Sequence, residues 1–394
     1  MRVLGIVAEY NPFHNGHAYH LSRARELVCP WETLVALSPC MTQRGLLPLL
    51  SPLDRARCAL AAGADAVFAL PVLWTLRDAE HYALGAVALL SRLGITHLAF
   101  GAETDDLSLL QRAAVMLEKP TDEFQLVLRQ SLDRGNGYPA ALASALSAAL
   151  PEAAGLLDAP NNTLAVCYLR ALRRLQLNVE PVVIRRTGAY RANAVDPAAP
   201  SASALRAALL RGDYASAFRA VPAFSAAVLR RRFLDAAVPD ERILDAALLS
   251  RLRAMPPEEY ALLPDLSEGM ENALRSAAAQ ACSMRGLVLS LAGKRYPAAR
   301  ISRLCACALL GIRQETLDSL ALPERALLLG LRPGKEMTAR WKSAALPVIA
   351  SFSEWKKTAH PADLAAWRLF AQCCRLPDTL PFSEKTAVYD SKRK

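Results

Sequence analysis

The chain has 394 residues, of which 53% are hydrophobic and 21% charged, a composition typical of a folded protein with two domains. It holds no run of 18 apolar residues, and its first apolar stretch is too short for a secretory signal. We therefore expect a cytoplasmic protein without a membrane span. The net charge of +10 suits a nucleic-acid partner, although charge alone is equally compatible with a basic protein that has none.

The nine cysteines point away from a disulfide framework and from a zinc site. They are scattered along the chain, and none forms a CxxC pair. No cluster of histidine and cysteine has the spacing of zinc ligands. We expect free thiols in a reducing compartment and no bound metal.

Strand and helix signals alternate through the first half of the chain. Short apolar runs predict strands at residues 3–8, 33–37, 66–70, 96–100 and 182–184, and amphipathic patterns predict helices at about 16–28, 52–63, 78–93 and 162–175. This alternation implies a parallel sheet that is covered by helices on both faces. After Pro200 the pattern is helical. We predict a Rossmann-like α/β domain over residues 1–200 and a mostly α-helical domain over residues 201–394.

The turn after the first predicted strand holds residues suited to phosphate chemistry. His14 and His17 follow a strand and begin a helix, at the edge where open parallel sheets bind ligands. A helix N-terminus adds unpaired N–H groups and the positive end of a dipole. The two rings are three residues apart and can reach the same phosphates, while Gly16 lets the backbone approach closely. The alternative is a pair of ordinary surface or capping histidines.

The same turn resembles the HxGH motif of the nucleotidylyltransferase superfamily. Residues 5–21 are similar, almost letter for letter, to the opening motif of the bacterial tRNA(Met) cytidine acetate ligases. Further resemblances to that family follow in the same order, at residues 43–45, 79–87, 100–103, 160–164, 185–190, 201–206, 267–272 and 300–304. Pro39, beside Cys40, departs from the family, which usually has a glycine there in a loop expected to line the active site.

The resemblance implies an ATP site built from several segments, with His14 and His17 as the catalytic residues. Its members would be Val7, Ala8, Glu9, Tyr10, Asn11, Pro12, Phe13, His14, Asn15, Gly16, His17, Ala18, Tyr19, His20, Gly101, Asn161, Asn162, Arg186, Ser201, Ser203 and Arg206. Arg186 would place a fixed charge on the phosphates, or else be a solvated arginine at a strand end. One of the two asparagines would contact the nucleotide, or else merely cap a helix. The two serines would at least cap the helix that follows.

The resemblance also implies a two-step reaction. Acetate attacks the α-phosphate of ATP, which Mg²⁺ accompanies, and gives acetyl-adenylate and pyrophosphate. The exocyclic amine of the wobble cytidine of elongator tRNA(Met) then takes the acetyl group and releases AMP.

A basic cluster in the second half of the chain is the first candidate for binding the tRNA. It consists of Lys294, Arg295, Arg300 and Arg303, with Tyr296 as an aromatic member. The arginine run at residues 230–232 is a second candidate. For both, a solvated helix face is the alternative.

Two other functions remain open on the sequence alone. An adenylyltransferase acting on a small phosphorylated metabolite would not need a large basic helical domain. A non-enzymatic RNA-binding factor could keep a vestigial nucleotide fold, although the intact pair of His14 and His17 argues against it. A class I aminoacyl-tRNA synthetase fits less well, because no KMSKS-like lysine loop follows the predicted sheet. No oligomeric state is predicted.

Overall fold

The computed structural model of the chain is organised around one mostly parallel β-sheet. It describes residues 1–186, 195–197, 200–267, 269–293, 296–332, 345–377 and 386–388. The strands in these ranges are β1 (Val3–Ala8), β2 (Glu32–Leu37), β3 (Ala66–Ala69), β4 (His97–Ala102), β5 (Glu180–Arg185), β6 (Ala326–Leu331), β7 (Val348–Ile349) and β8 (Ala387–Val388). The strands predicted in the first half are confirmed, each end within two residues.

The helices of the first half include the four that the sequence predicts. They are α1 (Asn15–Val28), α2 (Pro52–Ala61), α3 (Val72–Thr75), α4 (Ala79–Arg92), α5 (Leu107–Glu118), α6 (Asp122–Asp133), α7 (Tyr138–Ala149) and α8 (Pro160–Arg174). Short 3₁₀ helices lie at Pro151–Ala153 and Leu156–Asp158. The predicted helices correspond to α1, α2, α4 and α8, whereas α5 to α7 fall where no element was predicted.

The second half is mostly helical, as predicted. Its helices are α9 (Ala202–Leu210), α10 (Tyr214–Arg219), α11 (Ala223–Leu234), α12 (Glu241–Ala254), α13 (Pro257–Tyr260), α14 (Met270–Gln280), α15 (Met284–Leu291), α16 (Ala298–Leu310), α17 (Gln314–Asp318), α18 (Phe352–Thr358) and α19 (Pro361–Cys373). No helix in the described ranges is both long enough and apolar enough to cross a bilayer.

The strand order is β5-β4-β1-β2-β3-β6-β7, with β8 also paired to β6. The first five strands are mutually parallel, whereas β6 runs antiparallel to β3 and parallel to β7 and β8. Strands from beyond residue 200 therefore extend a sheet that the sequence placed wholly in the first domain. A domain boundary near residue 200 stays a prediction.

Both faces of the sheet are buried, because successive side chains of a strand point to opposite faces and each face is covered by helices. In β1, Leu4 and Ile6 join a core on the face of α1 and α2, and Val3 joins a core on the face of α4 and α8. Such strands are apolar throughout because both of their faces are covered. The predicted coverage of both faces is confirmed. All nine cysteines are free, and seven of them are buried.

A buried carboxylate on α19 holds the start of α3. Asp363 is 7% exposed, and its Oδ1 accepts a hydrogen bond of 2.7 Å from the N–H of Val72. Burial raises the pKa of Asp363 to about 6, although the bond from Val72 opposes this shift. The ionised carboxylate is thus disfavoured in the folded state, so this group's contribution to stability is complete below pH 4 and is lost as the pH rises through 6.

We expect Asp363→Asn to be more stable than the wild type at pH 8, because asparagine keeps the acceptor for Val72 and removes the buried charge. The free energy of unfolding should rise by about 1–3 kcal/mol at pH 8, and the gain should shrink towards pH 4. Urea denaturation at pH 4, 6 and 8 measures this difference. Parallel stability profiles of the two proteins across that range would refute the assignment.

Candidate active site

The turn between β1 and α1 brings two imidazole rings together. His14 is the N-cap residue of α1 and is buried, and its ring stacks on that of His17 with 3.6 Å between centroids. The backbone N–H of His14 donates to Nδ1 of His17 over 3.3 Å. Both rings therefore lie at the helix N-terminus beside the carboxyl end of β1, where the sequence places them.

Hydrogen bonding assigns different roles to two of the rings. Nδ1 of His17 accepts a backbone N–H, so the neutral ring carries its proton on Nε2, which is a donor. A hydrogen bond with the backbone of Phe100 opposes the lowering of the pKa of His20, as donation from the ring to the carbonyl would do, and we infer that Nδ1 is the donor. The buried Nε2 of His20 has no partner among the described residues, and as the bare nitrogen it can only accept.

Burial keeps all three imidazoles neutral at pH 7. It lowers the pKa of His14 to about 3 and that of His20 to about 4, and it lowers the pKa of His17 well below 6.5. The positive charge of Arg186 adds to each of these shifts. The rings therefore interact with a ligand as neutral hydrogen-bonding groups.

Arg186 supplies a positive charge at this end of the sheet. The backbone N–H of Arg186 donates to the carbonyl of Ala102 over 2.8 Å, which continues the pairing of β5 with β4. Burial lowers the pKa of Arg186, and the charge of Glu103 partly opposes that shift. Nε of Arg186 is buried and lacks a partner in the described part of the chain. Arg186 is partly buried and its Nε is enclosed, which argues against a freely solvated arginine.

Two glycines keep space open around these groups. A Cβ on Gly16 would lie 3.0 Å from Cε1 and 3.1 Å from Nδ1 of His14, whose Nδ1 is buried and unpartnered among the described residues. A Cβ on Gly101 would lie 3.4 Å from Arg186 and 3.7 Å from His20. Gly101 therefore lies between these two side chains, close to the turn.

The remaining residues of the turn have structural contacts of their own. Tyr10 and Phe13 are buried, and their rings lie 5.0 and 5.7 Å from that of His17, which they support from the core. Oδ1 of Asn11 accepts the N–H of Leu49 over 2.8 Å. The other residues of the predicted site near this turn differ in exposure. Pro12 is buried, Tyr19 is exposed, and three are partly buried, namely Val7, Ala8 and Ala18.

The two asparagines at the start of α8 bind the loop that follows β4. Asn161 donates to one oxygen of Glu103 over 2.6 Å, and the backbone N–H of Asn162 donates to the other over 2.8 Å. Oδ1 of Asn162 accepts from the N–H groups of Glu103 and Thr104. The N-cap residue of α8 is Ala159, so neither asparagine caps the helix. Their contact with a nucleotide stays a prediction.

The segment around α9 closes over the turn. Ser201 is the N-cap of α9, where its Oγ accepts the N–H of Ala204 over 3.1 Å and lies 3.0 Å from Oγ of Ser203. The predicted cap is confirmed for Ser201. Arg206 donates to the carbonyl of Asn11 over 2.9 Å and so ties α9 to the turn.

Asn15 and Phe13 fasten the turn to the start of α11. The N–H of Asn15 donates to the carbonyl of Ala220 over 3.0 Å, and Nδ2 donates to the carbonyls of Pro197 and Arg219. Oγ of Ser225 donates to the carbonyl of Phe13 over 2.8 Å. These contacts join positions about 200 residues apart, and no local pattern predicts them.

Arg55 is a central residue that the sequence analysis missed. This fully buried arginine donates to backbone carbonyls after β1 and β2, which are those of Glu9 (2.6 Å), Ser38 (2.8 Å), Pro39 and Leu50 (3.0 Å). Burial lowers its pKa to about 10, so the guanidinium stays charged at pH 7. One side chain therefore fixes the loops on both sides of the site, including the proline that departs from the family.

Glu9 connects the turn to the loop at residues 43–45. Oε1 of Glu9 accepts the N–H of Gln43 over 2.6 Å, and Nε2 of Gln43 donates to the carbonyl of Arg77. Burial raises the pKa of Glu9, opposed by the Gln43 bond and by nearby arginines. A Cβ on Gly45, which has φ of +75°, would lie 2.6–2.7 Å from backbone atoms of α16, so this loop packs directly on the helical half.

The first predicted tRNA cluster is only partly described. Arg300 donates to the carbonyl of Asp265 and lies 5.4 Å from the ring of Tyr296. Arg303 is half-buried on α16, where Gly45 packs, and burial lowers its pKa. Lys294 and Arg295 lie outside the described residues. Within the described ranges, no group of three or more His, Cys, Asp or Glu side chains could hold a metal ion.

We expect Arg55→Met to lower the free energy of unfolding by about 3–5 kcal/mol, because it leaves several buried carbonyls without donors. Arg57→Met is the matched control on the same helix. Arg57 is half-exposed and pairs with Asp54 over 2.8 Å, so its loss should cost less than about 1 kcal/mol. Urea denaturation compares the two variants, and equal losses would contradict a central role for Arg55.

Similarity to known proteins extends over nearly the whole chain. Residues 1–380 match the family described as HIGH Nucleotidyl Transferase. A protein named tRNA(Met) cytidine acetate ligase from Acetivibrio thermocellus is 31% identical, and the match covers 96% of each chain. The protein of that name from Kosmotoga olearia is also 31% identical, over 92% of this chain and 88% of its own.

Two solved structures share the fold. The apo crystal structure of Thermotoga maritima TmcAL has a TM-score of 0.92 at 29% identity, covering 98% of this chain and 99% of that one. The structure of TmcAL bound with alpha-thio ATP has a TM-score of 0.89 at 28% identity, with the same coverage.

Proposed function

This chain belongs to the tRNA(Met) cytidine acetate ligases within the HIGH nucleotidyl transferase family, and from that premise we propose that it is an ATP-dependent ligase. It activates acetate as acetyl-adenylate and transfers the acetyl group to the wobble cytidine of elongator tRNA(Met), forming 4-acetylcytidine. Its substrates are acetate, tRNA(Met) and ATP, and Mg²⁺ accompanies the ATP. It acts in the cytoplasm. The solved relative that was crystallised with alpha-thio ATP supports the choice of nucleotide.

The observation that carries this proposal is a set of buried nitrogens without partners in the first two turns of α1 and just after β5. Nδ1 of His14, Nε2 of His20 and Nε of Arg186 are all buried and unpartnered in the described part of the chain. Leaving such atoms without a hydrogen bond costs about 1–3 kcal/mol each, which a bound ligand would recover. The helix N-terminus favours a negative charge and Nε of Arg186 is a hydrogen-bond donor, so phosphate fits this part of the set.

Each residue has a definite part in the first step. Nε2–H of His17, Arg186 and the N–H groups of α1 bind phosphate oxygens and stabilise the negative charge that builds up around the α-phosphorus. A carboxylate oxygen of acetate forms the new P–O bond, and pyrophosphate leaves with the electrons of the bond that breaks. Because the imidazoles are neutral, they act as hydrogen-bond partners and not as acids.

His20 has the opposite polarity and therefore a different part. Its bare Nε2 repels phosphate oxygen and fits a hydroxyl or amine donor, as the ribose or adenine of ATP would offer. Gly101 lies beside His20 at the end of β4, where the missing side chain leaves space for that end of the nucleotide. ATP would then bind with its phosphates at His17 and its nucleoside at His20.

The reaction itself is the first test. We expect the protein, incubated with ATP, labelled acetate and unmodified tRNA(Met), to place the label on a cytidine of the RNA. His17→Asn should lower kcat by about 10²–10³-fold, since a donor to the developing charge is lost. His360→Asn is the control, because this exposed histidine accepts the N–H of Ala362 and asparagine can do the same. RNA that stays unlabelled with the wild type would refute the ligase assignment.

Gly16→Ala tests the space beside His14. The added methyl group would lie about as close as 3.0 Å to the ring, so we expect ATP affinity to fall by about tenfold or more with the fold retained. Gly293→Ala is the control, since nothing lies within 4 Å of a Cβ there. Calorimetric titration with ATP measures both, and an unchanged dissociation constant in Gly16→Ala would count against nucleotide binding at this turn.

A further inference from the structure

The arginine run on α11 has three different environments. Arg232 makes two hydrogen bonds to the buried carboxylate of Asp54, at 2.7 and 3.1 Å, and is part of the internal structure. Arg231 is exposed and lies 3.6 Å from Asp235. The guanidinium carbon of Arg230 lies 4.7 Å from the ring centroid of Phe218 on α10, so this arginine is stacked on an aromatic residue.

Aromatic rings extend from that stack towards solvent. Tyr214 and Phe218 lie one turn apart on α10, with nearly parallel rings 5.9 Å apart at 16°. Phe233 on α11 meets Tyr214 edge-on at 5.4 Å. Tyr214 is 40% exposed, so it presents a ring to solvent next to the stacked arginine. Such a ring can stack on an unpaired base.

The surrounding charge is positive. Residues 200–235 contain six arginines, two aspartates and no lysine or glutamate. Arg206 and Arg232 are bound inside the protein, so the other four arginines exceed the two aspartates by two charges. Arg211 precedes α10 and Arg219 is its last residue, and both are exposed. Both are close enough to Asp213 to lower its pKa, after the larger effect of its hydrogen bonds with Ser216. These two arginines and Arg230 therefore surround the aromatic rings with positive charge.

This surface, which we term the α10–α11 face, is tied directly to the turn that holds the histidines. The carbonyl of Arg219, the last residue of α10, accepts from the side chain of Asn15, and the carbonyl of Ala220 accepts from its backbone. A polynucleotide held on this face is therefore anchored next to the start of α1.

We propose that the α10–α11 face binds the tRNA, with Arg211, Arg219 and Arg230 on phosphates and Tyr214 stacked on an unpaired base. The inference rests on the proposed function, and it assigns the RNA a surface distinct from the cluster at residues 294–303. Arginines interleaved with an exposed aromatic ring match the two features of single-stranded RNA, its charged backbone and its unstacked bases. An acidic protein partner would match only the charge.

The test measures binding of an unmodified tRNA(Met) transcript to the full chain by fluorescence anisotropy at several salt concentrations. Replacing Arg211, Arg219 and Arg230 by glutamine should weaken binding by about 10–100-fold at low salt and should reduce the slope of log affinity against log salt by about 2. Tyr214→Ala should weaken binding by at least about 5-fold with the salt slope unchanged, because stacking releases no counterions.

A matched triple variant replaces Arg129, Arg134 and Arg173 by glutamine. These arginines are exposed on or next to α6 and α8, and their loss changes the net charge by the same amount. Its tRNA affinity should stay within about 2-fold of the wild type. An equal loss in both triple variants, or a loss in neither, overturns the proposal.

Three further readouts separate this inference from the proposed function and from self-association. Exchange of pyrophosphate into ATP in the presence of acetate should be unchanged in the α10–α11 triple variant, because no RNA takes part in that step. If the wild type fails to acetylate the RNA, the ligase assignment is wrong, whatever surface binds the tRNA. If the triple variant keeps its tRNA affinity but changes its mass in light scattering, the face binds a second copy of the chain and the proposal fails.

Discussion

Buried nitrogens without hydrogen-bond partners are the constraint around which the site is arranged. In the described part of the chain, His14, His20 and Arg186 each keep such an atom at the same end of the sheet. A folded protein tolerates this cost where a ligand supplies the missing partners. The order of polarity, with a donor at His17 and an acceptor at His20, then orients a molecule that has phosphates at one end and hydroxyl groups at the other.

Long-range contacts hold that arrangement in place. Arg55 donates hydrogen bonds to the backbone after β1 and β2. Side chains of the segment from Ser201 to Ser225 donate to carbonyls of the turn. Both sets bind backbone groups of the turn and of the loops beside it. Because the rings gain their geometry from the backbone of the turn, the rigidity of the site depends on these supports as much as on the histidines.

The sequence predicted those parts of the structure that depend on local pattern. The apolar run of β1 and the start of α1 follow from spacing and turn residues, and they locate His14 and His17 correctly. Arg55 could not be found in this way, because its partners are backbone carbonyls, which carry no signature in the sequence. The same holds for the bond from Asn15 to Ala220, and for β6, whose pairing with β3 joins positions more than 250 residues apart.

Where the sequence offered alternatives, packing decided between them. Neither Asn161 nor Asn162 caps α8, since both bind Glu103 and the loop after β4. The arginine run at 230–232 is neither a uniform RNA-binding strip nor a uniform solvated face, because each member meets a different neighbour. The role of each of these side chains depends on which element packs against it, and the local sequence does not reveal that.

A crystal structure of this protein with an unreactive ATP analogue tests the central claim most directly. The account requires phosphate oxygens within hydrogen-bond distance of Nε2 of His17 and of the Arg186 guanidinium, with a ribose or adenine donor at Nε2 of His20. A nucleotide bound at another edge of the sheet, or one whose phosphates contact neither His17 nor Arg186, would contradict it.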